Sequence, residues 1–142
     1  MQLVKAALGV AQLERLDDFV KRKRAMGRRY NELLKDTPGL QLPVTKTDYV
    51  ENIYWVYRVV LNDKVPFDAE EAMKRLASQG IGTRPFFWPM HEQPVFQKMG
   101  LFDGVRCPVA ERIARRGFYV PSGLALGNEQ IESVGRAVKG VV

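Results

Sequence analysis

NIYWVYRVVLN, residues 52 to 62, decides the fold. The run is aromatic and β-branched, the composition that fits a pleated, half-buried surface. Alternation puts Tyr54, Val56 and Val60 on one face, and Ile53, Trp55, Tyr57, Val59 and Leu61 on the other. Both faces are therefore largely apolar, which predicts an inner strand covered on at least one side. FDAEEAMKRLASQG, residues 67 to 80, then changes the period to that of a helix. Asp68 suits the N-cap, Glu71 the capping-box position, and Phe67 and Ala72 the two staple positions. Gly80 is the stop. IGTRPFF, residues 81 to 87, reads as a second short strand, so 52 to 87 predicts a β-α-β unit with a right-handed crossover.

Toward the N-terminus, apolar residues recur at Leu13, Leu16, Phe19, Val20, Tyr30, Leu33 and Leu34. This spacing predicts one long helix from Leu3 to Lys35, closed by the DTPG of residues 36 to 39. Toward the C-terminus, a helical turn is expected in PVFQKMG from Pro94, and a helix in PVAERIARRG from Pro108. FYVP, residues 118 to 121, is a third strand. NEQIESVGRAVKGV, residues 128 to 141, is an amphipathic helix with Ile131, Val134, Val138 and Val141 on one side. The class is α/β: a three-stranded sheet packed by helices, with residues 1–39 as a long connecting helix and 40–142 as a small domain.

The 142 residues suit one domain, and 46% hydrophobic with 27% charged residues is ordinary globular usage. No apolar run approaches the ~20 residues of a membrane span, and MQLVKAALGV lacks a secretion signal's cleavage pattern. The expected location is the cytoplasm. A single cysteine, Cys107, and a single histidine, His91, argue against a disulfide and against a transition-metal centre. The net charge of +6 fits either nucleic acid or an anionic small molecule. Its densest stretch, KRKRAMGRR at 21 to 29, falls off the apolar stripe and reads as a solvated face, with Glu14, Asp17 and Asp18 upstream as helical partners. No aromatic or glycine motif of a nucleic-acid fold accompanies it, so nucleic acid is not expected as a partner.

TRPFFWPMHEQPVF, residues 83 to 96, is too proline-broken for a helix, yet it holds Arg84, Phe87, Trp88 and His91. With it, four segments occur in order: AALGVAQLERLDDFVKRKR from Ala6, NIYWVYRVVL from Asn52, GIGTRPFFWPMHEQPVF from Gly80, and AERIARRGFYVPSGLAL from Ala110. Together they resemble the C-terminal part of the pyridoxal-phosphate-dependent sugar aminotransferases of the DegT/StrS kind, and within them the perosamine synthases. The resemblance spans nearly the whole chain. It implies the small C-terminal domain of the aspartate-aminotransferase-like fold (fold type I), with the large cofactor-binding domain absent.

For the full-length family the resemblance implies glutamate-dependent amination of GDP-4-keto-6-deoxymannose. The lysine that holds pyridoxal phosphate as a Schiff base lies upstream of everything here in the family. None of the nine lysines reads as a desolvated amine, and no glycine-rich phosphate loop is visible. The resemblance places Met1 just after a stretch that contacts the cofactor phosphate of a neighbouring subunit, and MQLVKAALG departs there from the family's MTNLQAALG. The expectation is therefore no catalytic, cofactor-binding or metal-binding residue in this chain, no cofactor bound to it, and no activity alone. The alternative is a stand-alone module that binds an anionic sugar nucleotide weakly or pairs with a separate partner that supplies the large domain. Apolar surface left uncovered on the long helix and the aromatic loop predicts a homo-oligomer.

In the family the loop lies near the mouth of the active site. Arg84 then either grips a carboxylate or phosphate or pairs with a nearby carboxylate to fix the strand end; the residues leave both open. His91 either hydrogen-bonds substrate at the rim or ties the loop to backbone carbonyls. Phe87 and Trp88 are candidates to stack on a sugar or base, with core and interface packing as the competing reading, which also holds for Phe86. Tyr119 and Ser122 of FYVPSGLAL read as packing and turn residues before substrate contacts. Trp88–Pro89 is expected trans.

Overall fold

The computed structural model describes residues 2–142; Met1, with its implied cofactor-side position, lies outside the described residues. Among the described residues six α-helices are formed: α1 (Gln2–Leu13), α2 (Leu16–Leu34), α3 (Ala69–Ala77), α4 (Pro94–Lys98), α5 (Pro108–Arg116) and α6 (Asn128–Val141). Four strands join them: β1 (Leu40–Gln41), β2 (Tyr57–Leu61), β3 (Arg84–Pro85) and β4 (Gly117–Val120). A 3-10 turn covers Met90–Glu92. The sheet order is β1-β2-β4-β3, and every neighbouring pair is antiparallel.

Three expectations change. The sheet has four strands, because Leu40 and Gln41 pair with Leu61 and Val60 beyond the three strands read from the sequence. The β-α-β unit over 52 to 87 exists as a split one. β2 and β3 run parallel, but β4 lies between them, with Tyr57 opposite Val120 and Pro85 opposite Phe118. The long helix of residues 3 to 35 is two helices. At the join the Arg15 N–H bonds the Gln12 carbonyl at 3.2 Å in the tighter 3-10 pattern, and Arg15 sits at φ −108°, ψ 6°. The apolar faces on either side have different fates: α1 buries none of Leu3, Val4, Leu8, Val10 and Leu13, whereas α2 buries Met26, Gly27, Tyr30 and Leu34.

β2 also begins later than the apolar run suggests. The Asn52 side chain accepts the Tyr54 N–H at 2.7 Å, and Tyr54 adopts φ 52°, a left-handed conformation that is costly for a bulky residue. Alternation holds only from Tyr57, where Tyr57, Val59 and Leu61 face the core. There they meet α2, α3 and α6 in one cluster that includes Leu76, Phe118, Val134 and Val138.

The left-handed turn serves one contact. Tyr54 lays its ring flat on α2 at Gly27, where a Cβ would stand 2.3 Å from the ring carbons. Behind it the Tyr30 and Tyr57 rings meet at 4.6 Å between centroids. Tyr57 Oη donates to Asn31 Oδ1 at 2.6 Å, Asn31 Nδ2 donates to Tyr54 Oη at 3.0 Å, and Tyr54 Oη donates to Thr45 Oγ1 at 3.2 Å. Tyr30 Oη donates to the Pro121 carbonyl at 2.8 Å. The three buried rings thus keep their hydroxyls paired, as burial demands. Burial pushes the Tyr30 and Tyr57 phenols well above their usual range.

The basic run on α2 is exposed at Lys21, Arg22 and Arg28, as read, and half-buried at Lys23, Arg24 and Arg29. Arg22 keeps one helical partner, Asp18, at 3.9 Å and donates to the Leu124 carbonyl at 2.6 Å. Lys23 donates to the Ser122 carbonyl, Arg24 faces Glu51 at 3.5 Å, and Arg29 pairs with Glu132 of α6. Arg22, Lys23 and Arg29 thus fasten α2 to residues 122–132, and Arg24 fastens it to Glu51. α3 is capped as read, with Asp68 accepting the Glu71 N–H at 3.0 Å and Gly80 at φ 76°. The Glu71 carboxylate turns instead to Arg75 Nε at 2.8 Å. Arg116, at the end of α5, donates to the carbonyls of Phe67 at 2.5 Å and Val65 at 2.8 Å and to that of Asn62. It locks the segment between β2 and α3.

Gly27→Ala is expected to lower unfolding stability by about 1–3 kcal/mol, the usual cost of forcing an extra methyl into a packed contact. Gly9→Ala in α1, where a Cβ meets nothing within 4 Å, is expected to be neutral or stabilising. Urea unfolding of both variants measures the difference; equal midpoints would refute the contact's importance.

Candidate substrate-facing site

The face of the sheet opposite the core carries the first group of candidate residues. Register alone defines its central row: Arg58 of β2 and Arg84 of β3 both lie opposite Tyr119 of β4. Directly opposed residues project to the same face, so the Arg58 and Arg84 side chains leave the sheet on either side of Tyr119. Burial raises the Tyr119 phenol above its usual value, and the neighbouring Arg58 charge works against that rise. The next row is Val60, Gly117 and Phe86. The Phe86 ring covers Gly117 so closely that a Cβ there would stand 2.3 Å from it. It also stacks on Tyr119 at 4.7 Å, and Phe87 meets Tyr119 edge-on at 6.2 Å. Among the described residues neither Arg58 nor Arg84 has a carboxylate within 4.0 Å. The carboxylate that was one reading of Arg84 is thus missing from its surroundings.

Trp88 and His91 belong to a second group. Past Pro89 the chain folds into the 3-10 turn, bringing His91 and Glu92 against α5. His91 Nε2 lies 3.0 Å from Glu111 Oε1, which also accepts the Cys107 N–H at 2.8 Å. His91 thus ties the loop to a carboxylate, not to backbone carbonyls. Arg115 grips both Glu92 oxygens at 3.1 Å and lies over the Trp88 ring at 4.7 Å. The loop therefore does not gather its four candidates at one point. Arg84 and Phe87, the latter 75% exposed, face outward beside Tyr119, while Trp88 and His91 brace the loop on α5. All peptide bonds of the described residues are trans, Trp88–Pro89 included.

Donor atoms of His91, Glu92 and Glu111 lie within 4.8 Å of one another, a spacing a metal ion would accept. Each is already matched by a protein partner: Glu92 by Arg115, and Glu111 by His91 and the Cys107 amide. The cluster explains its own geometry through these bonds.

One groove can be tested against pyridoxal phosphate, the one beside Lys23. Burial lowers the affinity of one amine for its proton, that of Lys23, which corrects the view that no lysine here is desolvated. Its Nζ is turned to the Ser122 carbonyl, beside a groove lined by Phe19, Val20, Ile53 and Trp55. That groove offers no carboxylate for a pyridine nitrogen and no set of phosphate donors. Sequence reasoning missed Lys23, Arg58, Glu111 and Arg115. Arg58 had a signal, because it is the one charge inside an apolar strand. The others come together only through the tertiary fold.

The family model described as "DegT/DnrJ/EryC1/StrS aminotransferase family" matches residues 1–139, and the chain belongs to that family. GDP-perosamine synthase of Vibrio cholerae is 30% identical over 135 residues, covering 94% of this chain and 35% of that protein. GDP-perosamine synthase of Escherichia coli O157:H7 is 33% identical over 126 residues, covering 89% and 32%. The crystal structure of the aminotransferase TlmJ from Streptoalloteichus hindustanus superposes with a TM-score of 0.82 at 28% identity, covering 96% of this chain and 35% of that one. The chain spans about a third of the length of these relatives and corresponds to their C-terminal part. Its fold is that of the C-terminal domain of such aminotransferases. Among the described residues no helix is long and apolar enough to cross a membrane.

Glu111 is held below the ordinary carboxylate range, first by the Cys107 N–H and then by His91. A carboxyl group depressed in this way stabilises the fold above that range and stops doing so as pH falls through it. Urea melts of the wild type and Glu111→Gln are therefore expected to differ at neutral pH and to converge in acid. A gap that persists unchanged into acid would exclude Glu111 as the titrating group.

Proposed function

We propose that this chain is the substrate-facing C-terminal part of a nucleotide-sugar aminotransferase of the perosamine-synthase kind. The observation that carries the reading is the family match along residues 1–139 together with the perosamine synthases among the relatives. The reaction is transfer of glutamate's amino group to GDP-4-keto-6-deoxymannose. Pyridoxal phosphate, when bound, supplies the electron sink for that exchange. Its holding lysine and phosphate donors come from residues other than those described here, and the chain is inactive alone.

This chain's own part is to bind and orient. Arg84, with no internal carboxylate, offers a two-pronged grip on an anionic group. Phe87 presents an exposed ring beside it for the sugar or base. Trp88 and His91, pinned to α5, set the angle of the loop and form its rim. His91 keeps its ring on Glu111 and so holds the loop against α5.

A second element of the reading is association. Leu3, Val4, Leu8 and Leu13 of α1 are all exposed and continue onto Leu16 of α2. An apolar stripe of this length facing water favours a covering surface. A second copy of the chain or a separate large domain provides it. In this reading the alternative of a module that pairs with a partner differs only in what the partner carries.

A chimera with this chain in place of the corresponding third of Vibrio cholerae GDP-perosamine synthase is expected to release 2-oxoglutarate in a sugar-dependent way. Arg84→Gln in the chimera is expected to lower kcat/KM about tenfold or more, the scale of one lost charge-assisted grip. Turnover by the 142-residue chain alone would overturn the division of labour. Sedimentation of the chain is expected to show a dimer or larger species that Leu8→Glu dissociates; a monomer at all concentrations would refute self-association.

A further inference from the structure

Arg58 stands in a groove on the outer face of the sheet, beside Tyr119. Its volume is about 380 Å³, and Trp55, Arg58, Val60, Phe86, Ile113 and Tyr119 are among the residues that line it. Three features point to a ligand. Arg58 is an exposed guanidinium with neither ion pair nor hydrogen-bond partner among the described residues, on a strand whose other residues are buried. Trp55, 70% exposed, lines the same groove. Arg84, beyond the groove's own lining, leaves the same side of the sheet two strands away, across Tyr119.

Two inter-strand steps separate Arg58 and Arg84 by about 10 Å at the backbone. Side chains of that length close the interval from both ends, and the intervening Tyr119 adds a hydroxyl. A lone guanidinium here would be a solvated charge. Two of them bracketing a phenol, with aromatic surface at each side, form a receptor for a group carrying two adjacent negative charges next to a flat ring. The polar part is small and the aromatic part large, which suits a nucleoside diphosphate better than glutamate, whose carbon chain would leave Trp55 uncovered.

We propose that Arg58 and Arg84 form a two-sided clamp for the diphosphate of the nucleotide sugar, with the nucleoside lying along the groove against Trp55. The assignment rests on the nucleotide-sugar reading above and adds to it Arg58 and Trp55. It also sets a direction: the nucleoside lies toward β1 and Leu42, and the sugar toward Phe87 and the loop.

Calorimetric titration of the chain with GDP, guanosine, inorganic diphosphate and glutamate tests it. GDP is expected to bind at least about tenfold more tightly than guanosine, and Arg58→Gln to remove about tenfold or more of the GDP affinity while leaving guanosine unchanged. Arg58→Lys is expected to restore part of the loss, because charge remains without the fork. The indole N–H resonance of Trp55, assigned with Trp55→Phe, is expected to shift with GDP and not with diphosphate. Unfolding midpoints equal to wild type confirm that the variants are folded.

GDP binding that Arg58→Gln leaves intact overturns the clamp while the nucleotide-sugar reading stands. So does glutamate as the tighter ligand. If GDP has no affinity for the free chain, the chimera decides: the clamp requires Arg58→Gln to raise KM for the GDP-sugar about tenfold with kcat held, and an unchanged KM overturns it. A chimera without turnover, together with a chain that ignores GDP, removes both readings.

Discussion

The structure depends on the bare backbone of α2 at Gly27. Only there does the helix surface lie open enough for Tyr54 to press its ring flat against it. To reach it, Tyr54 takes a left-handed conformation that costs on the order of 1–3 kcal/mol, offset by the Asn52 side chain on its amide and by ring burial. From that fixed point the chain enters β2 in one register. Tyr57 then meets Tyr30, Asn31 joins two hydroxyls, and Val59 and Leu61 follow into the core. One residue of slip would exchange the buried face for the face that carries Arg58.

The same register builds the outer row. Strands of two, four and five residues are too short to hold a site by length. Their pairing nevertheless aligns Arg58, Tyr119 and Arg84 without any loop. The loop that carries Phe87 and Trp88 is fastened separately, by Arg115 on Glu92 and His91 on Glu111. Rigid sheet on one side and braced loop on the other is an arrangement that positions side chains with little entropy to lose when a ligand arrives.

Much of the fold was legible because local signals agreed with it. The Asp68 cap, the Gly80 stop, Pro108 at the start of α5 and the apolar stripe of α6 each have a mechanism that acts within a few residues. What was hidden depends on distant partners. The break at Arg15 carries no proline or glycine, and both helices keep an apolar period across it; only the different burial of the two faces shows that they part. β4 between β2 and β3 is a choice among pairings that periodicity does not distinguish. Gly27 sits in a basic run and reads as a weak spot in a helix until Tyr54 is set against it. The candidate site was legible by composition, as arginine and aromatic residues on a stiff loop, but not by grouping. Nothing in residues 84 to 91 says that Arg84 and His91 turn to different neighbours, because Tyr119 and Glu111 lie far along the chain.

The split sheet has a consequence for the order in which the molecule can assemble. β2 finds its main partner in β4, about sixty positions later, and α2 finds its own in α6, about a hundred later, where Arg29 meets Glu132. Early segments therefore wait, with Tyr30 and Leu34 uncovered, until the last helix has been made. Such distant pairing slows folding and lengthens the time during which apolar surface is open to the wrong neighbour.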